Sequence, residues 1–375
     1  MASVKPWSLA SGRSNGPLAL PKAGKLRHGT GRHKMKKKKA AIIKGESRKD
    51  NIKRCLDLIR EDIEPVRNAK NILIKPNLVA VKPDFANTSV ETIEAVIEFI
   101  REIVPDTPIT VGEASASAFY NGMPTASVFR NFDYYRLEKN YPNIKLTDFD
   151  NDKEFLYSPI HSIVGDTELR ITKRAEEFDY KISLAIPKTH NFAIATFGIK
   201  NMAGLVMRED MAMIHGMKGG IEVDAPKTLL DRLPTGTVSK ARRLLPNWLI
   251  NFLFRQYPGY RKSVKMIHWN IAQLAKIVWP DLVVLDGFVC MEGDGPVDGT
   301  PVHLKTAIAS ADAVKADGIG ARLIGFNPEE IGYLYYLQDE DMGEYSLENL
   351  LGDDLESIKK KFRPHATYDI QRQWR

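Results

Sequence analysis

The sequence predicts an α/β fold: a mostly parallel sheet with helices on both faces and a helical excursion covering one end. Three observations carry this expectation. From residue 40 onward, short apolar runs alternate with stretches of helical periodicity, the pattern of strand–helix–strand units joined by right-handed crossovers. Two runs, Lys181–Ile186 and Asp281–Leu285, are apolar almost throughout, as strands covered on both sides must be. Several of the runs stop at small, polar or turn-forming residues, where an open sheet presents its ligand crevice.

Taken in order, Ala40–Lys44 is a short strand. Asn51–Ile59 places Ile52, Cys55, Leu56 and Ile59 at helical spacing. Asn71–Ile74 is a second strand, closed by Lys75-Pro76-Asn77 because Pro76 removes a ladder donor. Ser89–Ile103 gathers Val90, Ile93, Val96, Ile97 and Ile100 on one face, with acids near its start where the helix dipole favours them. Ile109–Val111 is a strand running into Gly112-Glu113-Ala114. Residues 205–270 are Met-rich, broken by proline and basic in places, and form the irregular excursion. His268–Val278 resumes a helix, and Asp312–Leu323 is a last one stopped by Gly325.

Composition narrows the function classes. The chain has 375 residues, and its mean hydropathy of −0.29 with no 18-residue uncharged apolar run predicts no membrane span. Two cysteines are too few for a disulfide framework, a four-thiolate zinc site or a cysteine-ligated iron–sulfur cluster. The expectation is a soluble, cytoplasmic protein. The formal charge of +7 is misleading, since residues 1–40 hold eleven Lys and Arg and no acid, leaving 43 basic against 47 acidic side chains. The body is mildly acidic.

Residues 1–39 therefore read as a disordered basic tail ahead of a domain at 40–335, with 336–375 as a C-terminal extension. The run Met35-Lys36-Lys37-Lys38-Lys39 leading into a strand resembles a bacterial-type start, which makes residues 1–34 an upstream addition. Weak binding of a polyanion by Lys36 to Lys39 is the other reading of the tail.

The candidate site is assembled from strand ends. Lys75, Lys188 and Lys200 adjoin Pro, Asn and Gly turns, where an ammonium can face a crevice and clamp a carboxylate or phosphate. A single lysine in such a place is more often solvated, so the expectation rests on the three together. Lys200 and His190 are the expected proton carriers, with Lys75, Asn77, Lys188 and Asn201 holding the substrate. His215 is a lesser partner. Glu113, Asp286 and Glu292 are the carboxylates suited to a divalent cation, with Asp294 beside them in a turn that needs no function. Cys290 is expected to be a buried small hydrophobe. Ser115 and Ser117 follow Gly112-Glu113, but no G-x-S-x-G elbow, zincin motif or standard phosphate loop occurs, Gly216-Met217-Lys218-Gly219-Gly220 included.

As a set, Ile74-Lys75-Pro76-Asn77-Leu78, Pro187-Lys188-Thr189-His190, Ile199-Lys200-Asn201-Met202-Ala203-Gly204, Asp286-Gly287 and Met291-Glu292-Gly293-Asp294-Gly295-Pro296 resemble the DUF362 family of uncharacterised proteins. Ala311-Asp312-Ala313-Val314-Lys315-Ala316-Asp317 and Leu323-Ile324-Gly325-Phe326 extend the resemblance over residues 40–330. Many members carry a cysteine-rich, ferredoxin-like segment that this chain lacks, so the resemblance implies no iron–sulfur electron transfer. A more distant similarity is to the lactate-racemase type of α/β protein, which uses lysine and histidine around an organic nickel cofactor; that is analogy only.

The resulting expectation is an enzyme that binds a small anionic molecule and moves a proton next to a carbonyl or carboxylate, with a metal or organic cofactor an open matter. The alternative is a non-catalytic binder of RNA or another polyanion through the tail and the basic stretch at 240–262. The aromatic stripe Trp248, Leu249, Phe252, Leu253 suggests a homodimer interface.

Overall fold

The computed structural model describes residues 37–79, 84–116, 122–217 and 258–375, with single positions between 246 and 255. Residues 1–36 of the basic tail expected at 1–39, Ser117, Lys218-Gly219-Gly220, the stretch 240–245 and most of the Trp248–Phe254 stripe lie outside the described residues, whereas Lys37 and Lys39 are described and paired with Glu344, Glu348 and Glu61. No helix among the described residues is long and apolar enough to cross a membrane.

Residues 37–375 form one compact unit around an eight-stranded sheet. Its strands are β1 Ala40–Lys44, β2 Ile72–Lys75, β3 Ile109–Glu113, β4 Ile144–Asp148, β7 Tyr180–Ala185, β10 Leu282–Gly287, β13 Thr306–Ser310 and β14 Leu350–Gly352. They lie in the order β14-β1-β13-β10-β7-β2-β3-β4. Every neighbouring pair is parallel except those of β13, which runs against both β1 and β10.

Strand alternation sorts the core into two layers. Ile72, Ile74, Val111, Ile182, Leu184 and Val284 face the helices Arg48–Leu58 and Val90–Ile103. Leu73, Val283, Leu285 and Ile308 face the helices Pro258–Ile277 and Ala313–Leu323. Local chemistry sets the helix starts. Ser47, Ser89 and Asp312 each cap a first turn by accepting from Asp50 N, Glu91 N and Lys315 N. The Ser47 cap explains why the first helix begins three residues ahead of its periodic stretch.

Three features depart from the sequence expectation. The helix resumed at His268 begins at Pro258, inside the stretch read as irregular; Tyr260, Val264, Ile267, Ile271 and Leu274 form its buried stripe, and a proline is compatible with a first helical turn. The hairpin β5 Phe155–Ser162 and β6 Gly165–Thr172 was not anticipated, nor was a second sheet of β8 Lys188–His190, β9 Ile194–Thr196, β11 Cys290–Glu292 and β12 Thr300–Val302. Residues 336–375 are built into the fold: β14 pairs with β1, Gln371 Oε1 accepts from Ile194 N at 2.7 Å, and Trp374 is buried.

The strand order reverses between β2 and β7. From β2 the chain proceeds outward through β3 to β4, and it then returns to lay β7 and β10 on the other side of β2. The carboxyl ends of β2 and β7 thus flank the gap where open α/β sheets bind ligands.

Candidate functional site

Lys75 is the last residue of β2 and is completely buried. Its Nζ donates to Pro76 O at 2.8 Å and Glu113 Oε2 at 2.5 Å, with Asn201 Oδ1 at 3.5 Å. Burial pushes the Glu113 carboxyl up to about 8 and depresses Lys75, and in each case the partner's charge opposes the shift. The pair leaves no room for a side chain on Gly204, whose Cβ would collide with Glu113 Oε1 and sit 2.5 Å from Lys75 Nζ.

Asn201 closes the gap between β2 and β7. Its Nδ2 donates to Ser183 Oγ at 3.0 Å and lies 3.1 and 3.3 Å from the carbonyls of Lys75 and Leu184. Its Oδ1 accepts from Asn77 Nδ2 at 3.0 Å. Asn77 Oδ1 in turn accepts from Lys188 Nζ, which also donates to Ala86 O at 2.8 Å. A continuous polar chain therefore joins Glu113, Lys75, Asn201, Asn77 and Lys188, all buried. Lys188 is depressed to about 7, first by burial and then by the Lys200 charge.

Lys200 differs from the other two lysines. It lies on the short turn Gly198–Asn201, is half-buried, and has no acceptor or carboxylate partner among the described residues. Burial depresses it to about 8. The start of its turn is fixed from the far side by Asp317, which accepts from Gly198 N at 2.8 Å and Ile199 N at 3.0 Å.

His190 ends β8, and its Nδ1 accepts from Phe192 N at 3.0 Å and Ala193 N at 3.2 Å. Because Nδ1 is committed as an acceptor, the ring proton of the neutral imidazole resides on Nε2. Burial, with Lys200, His215, His365 and Lys188 adding to it, holds His190 well below its usual range. The His215 ring lies parallel to it at 5.8 Å and is depressed to about 3, chiefly by burial. His365 Nδ1 accepts from Thr367 N at 3.2 Å, and its Nε2 stands 3.9 Å from Asp294 Oδ1.

Seven of the nine candidate residues meet at or beside this gap: Lys75, Asn77, Glu113, Lys188, His190, Lys200 and Asn201. The three carboxylates expected to share a cation are placed apart. Asp286 lies with Leu282 and Val284 on the opposite face of the sheet, where it accepts from Thr92 Oγ1 at 2.5 Å and pairs with Arg48 Nε at 3.2 Å. Glu292 accepts from Arg363 N at 3.0 Å, and Glu113 holds Lys75. Among the described residues, no group of three or more His, Cys, Asp or Glu is placed to hold a metal ion. Ser115 braces the loop by donating to Leu78 O at 3.0 Å. Cys290 is buried, which pushes its thiol well up.

Sequence reading assigned no role to Ser183, Gly204, Asp317, His365 or Thr88, whose Oγ1 accepts from Asn77 N at 2.8 Å and donates to Leu184 O at 3.0 Å. Gly204 and Asp317 stood within the quoted motifs; nothing local marks the others, because their roles arise from contacts across the fold.

The family model described as a domain of unknown function, DUF362, matches residues 72–322. The thylakoid-associated protein sll1697 of Synechocystis sp. is 24% identical over 163 residues, which cover 44% of this chain and 38% of that protein. The lactate racemase apoprotein from Thermoanaerobacterium thermosaccharolyticum superposes with a TM-score of 0.45 at 17% identity, covering 76% of this chain and 56% of that one. The matched stretches span less than two thirds of either relative. Since the family match runs from β2 into the helix Ala313–Leu323 and takes in every residue of the basic cluster except His365, the chain belongs to the DUF362 family.

Proposed function

We propose that the basic cluster beside β2 and β7 binds a small anionic molecule, and that the chain is an enzyme moving a proton next to a carbonyl or carboxylate of it. The observation that carries this reading is Lys200: a half-buried ammonium with no partner among the described residues, close to Lys188, His190 and His215. An unpaired cation held away from water is costly, and an anion is the group that offsets the cost.

The roles follow from the hydrogen bonds. Lys75 is neutralised by Glu113 and serves the scaffold. Lys188, whose partners are an amide and a carbonyl oxygen, keeps its charge for the ligand. His190 presents Nε2–H and so donates a hydrogen bond to a developing negative charge, leaving the Lys200 ammonium to deliver the proton and take it back. A group near 8 suits that task at neutral pH, and such acid–base help amounts to roughly 10²–10⁴-fold. Electrostatic stabilisation by Lys188 and His190 supplies the rest.

Calorimetric titration of acetate, malonate and inorganic phosphate into the wild type and Lys200→Ala tests the reading. We expect binding to the wild type, loss of it in Lys200→Ala, and a melting temperature equal or higher in the variant. A lower melting temperature with unchanged binding assigns Lys200 to structure and overturns the proposal.

A further inference from the structure

The cluster also contains a hydroxyl with nothing to bond. Thr196 is 4% exposed, and its buried Oγ1 has no hydrogen-bond partner. In a native fold such a group calls for an explanation. Its place in the second sheet is specific: β8 and β9 are antiparallel with Lys188 opposite Thr196 and His190 opposite Ile194. Residues directly opposite share a face, with Cβ atoms about 5 Å apart. Lys188, His190 and Thr196 therefore project from the same side, whereas Thr189 projects from the other and donates to Gly293 O at 2.9 Å.

Charge counting over the same cluster leaves an excess of two. Lys75 is cancelled by Glu113. Asp294 is the carboxylate beside His365. Lys188 and Lys200 have no carboxylate partner among the described residues, and only two of the three protons on Lys188 Nζ are used, on Asn77 Oδ1 and Ala86 O. The groups left over are all donors: one proton of Lys188, the ammonium of Lys200, Nε2–H of His190 and the Thr196 hydroxyl.

We infer that this site takes a dianionic oxyanion, a phosphate group, with its two charges set against Lys188 and Lys200 and one oxygen bound by the Thr196 hydroxyl. The inference rests on the anion-binding reading above and narrows its ligand class. A monocarboxylate brings one charge against two ammonium groups and spreads its acceptor sites over only two oxygens. A phosphate group supplies both, and Lys together with hydroxyl donors is an ordinary way to hold one.

The test is titration of inorganic phosphate, malonate and acetate at equal ionic strength, at about pH 7, below the value to which Lys200 is depressed and where a substantial share of phosphate is doubly charged, into the wild type and Thr196→Val. Phosphate should bind the wild type at least tenfold more tightly than acetate. Thr196→Val should weaken phosphate roughly tenfold or more, the factor carried by a hydrogen bond to a charged group, and leave acetate nearly unaffected. Its melting temperature should hold or rise, because the substitution removes an unsatisfied buried hydroxyl. Unchanged phosphate affinity in Thr196→Val, or a fallen melting temperature that marks the hydroxyl as structural, overturns the role of Thr196. Acetate binding as tightly as phosphate overturns the dianion while sparing the anion site, and malonate binding more tightly than phosphate overturns the phosphate assignment. Failure of all three anions on the wild type overturns the anion site itself.

Discussion

Lys75 Nζ sits 2.5 Å from Glu113 Oε2, and both side chains are buried, with Gly204 packed against the pair. Removing one member strands the other's charge. Glu113→Gln should cost about 3–5 kcal/mol of stability, whereas Lys75→Met with Glu113→Leu should restore much of it. Urea unfolding of the single and double variants measures this; additive losses would show that the two residues do not act as a pair.

Gly204→Ala forces a methyl group into that ion pair. Overpacking of this kind costs about 1–3 kcal/mol, and here it also displaces Lys75 from Asn201, so anion affinity should fall along with the unfolding midpoint. A variant with wild-type stability would show that the Lys75–Glu113 pair shifts without penalty.

The depressed lysines give stability a defined pH dependence. Lys200 is lowered from 10.5 to about 8 and Lys188 to about 7 in the folded chain. Between those values and 10.5 the unfolded chain binds more protons than the folded one, so stability rises with pH across that window. The contribution is present above 10.5 and is lost as pH falls through the folded-state values. Lys200→Met should flatten the part of the slope above about pH 8, read as unfolding midpoints across the window; an unaltered slope would count against a desolvated Lys200.

Asp317 touches no candidate ligand group, yet it holds the turn that carries Lys200. Asp317→Ala frees two buried amides and should cost about 2 kcal/mol, with anion affinity falling too. Asp317→Asn keeps an acceptor oxygen and should recover part of both. Affinity that survives Asp317→Ala would show that Lys200 does not depend on this support.

Much of the fold was legible because local rules were obeyed. The apolar runs at 40–44, 71–74, 181–186 and 281–285 each became strands of the main sheet, and Ser89 and Asp312 start helices through hydrogen bonds within their own first turn. Hairpin β5–β6 was missed because Ser, His, Asp and Glu dilute its alternation, and Pro159 sits in the middle of β5. The helix at 258–277 was shortened because Pro258 and Gly259 read as breakers when they stand at a helix start.

At the site, strand-end residue types identified Lys75, Lys188, His190 and Lys200, but Asp286 carried the same signal and was placed on the other face. In a strand buried on both sides, every position is apolar, so the pattern does not reveal which side the terminal residue will take.

The sequence alone determined the class of fold, the candidate lysines and histidine near strand ends, and the Gly325 stop of the last long helix, because each depends on residues only a few positions apart. Only the tertiary structure decided that β7 would lie beside β2, that Lys75 would be cancelled by Glu113, that Lys200 would stand without a counter-charge, and that Thr196 would face Lys188. Those relations join residues 8 to about 110 positions apart, and they arise from strand order and register, for which short-range periodicity holds no information.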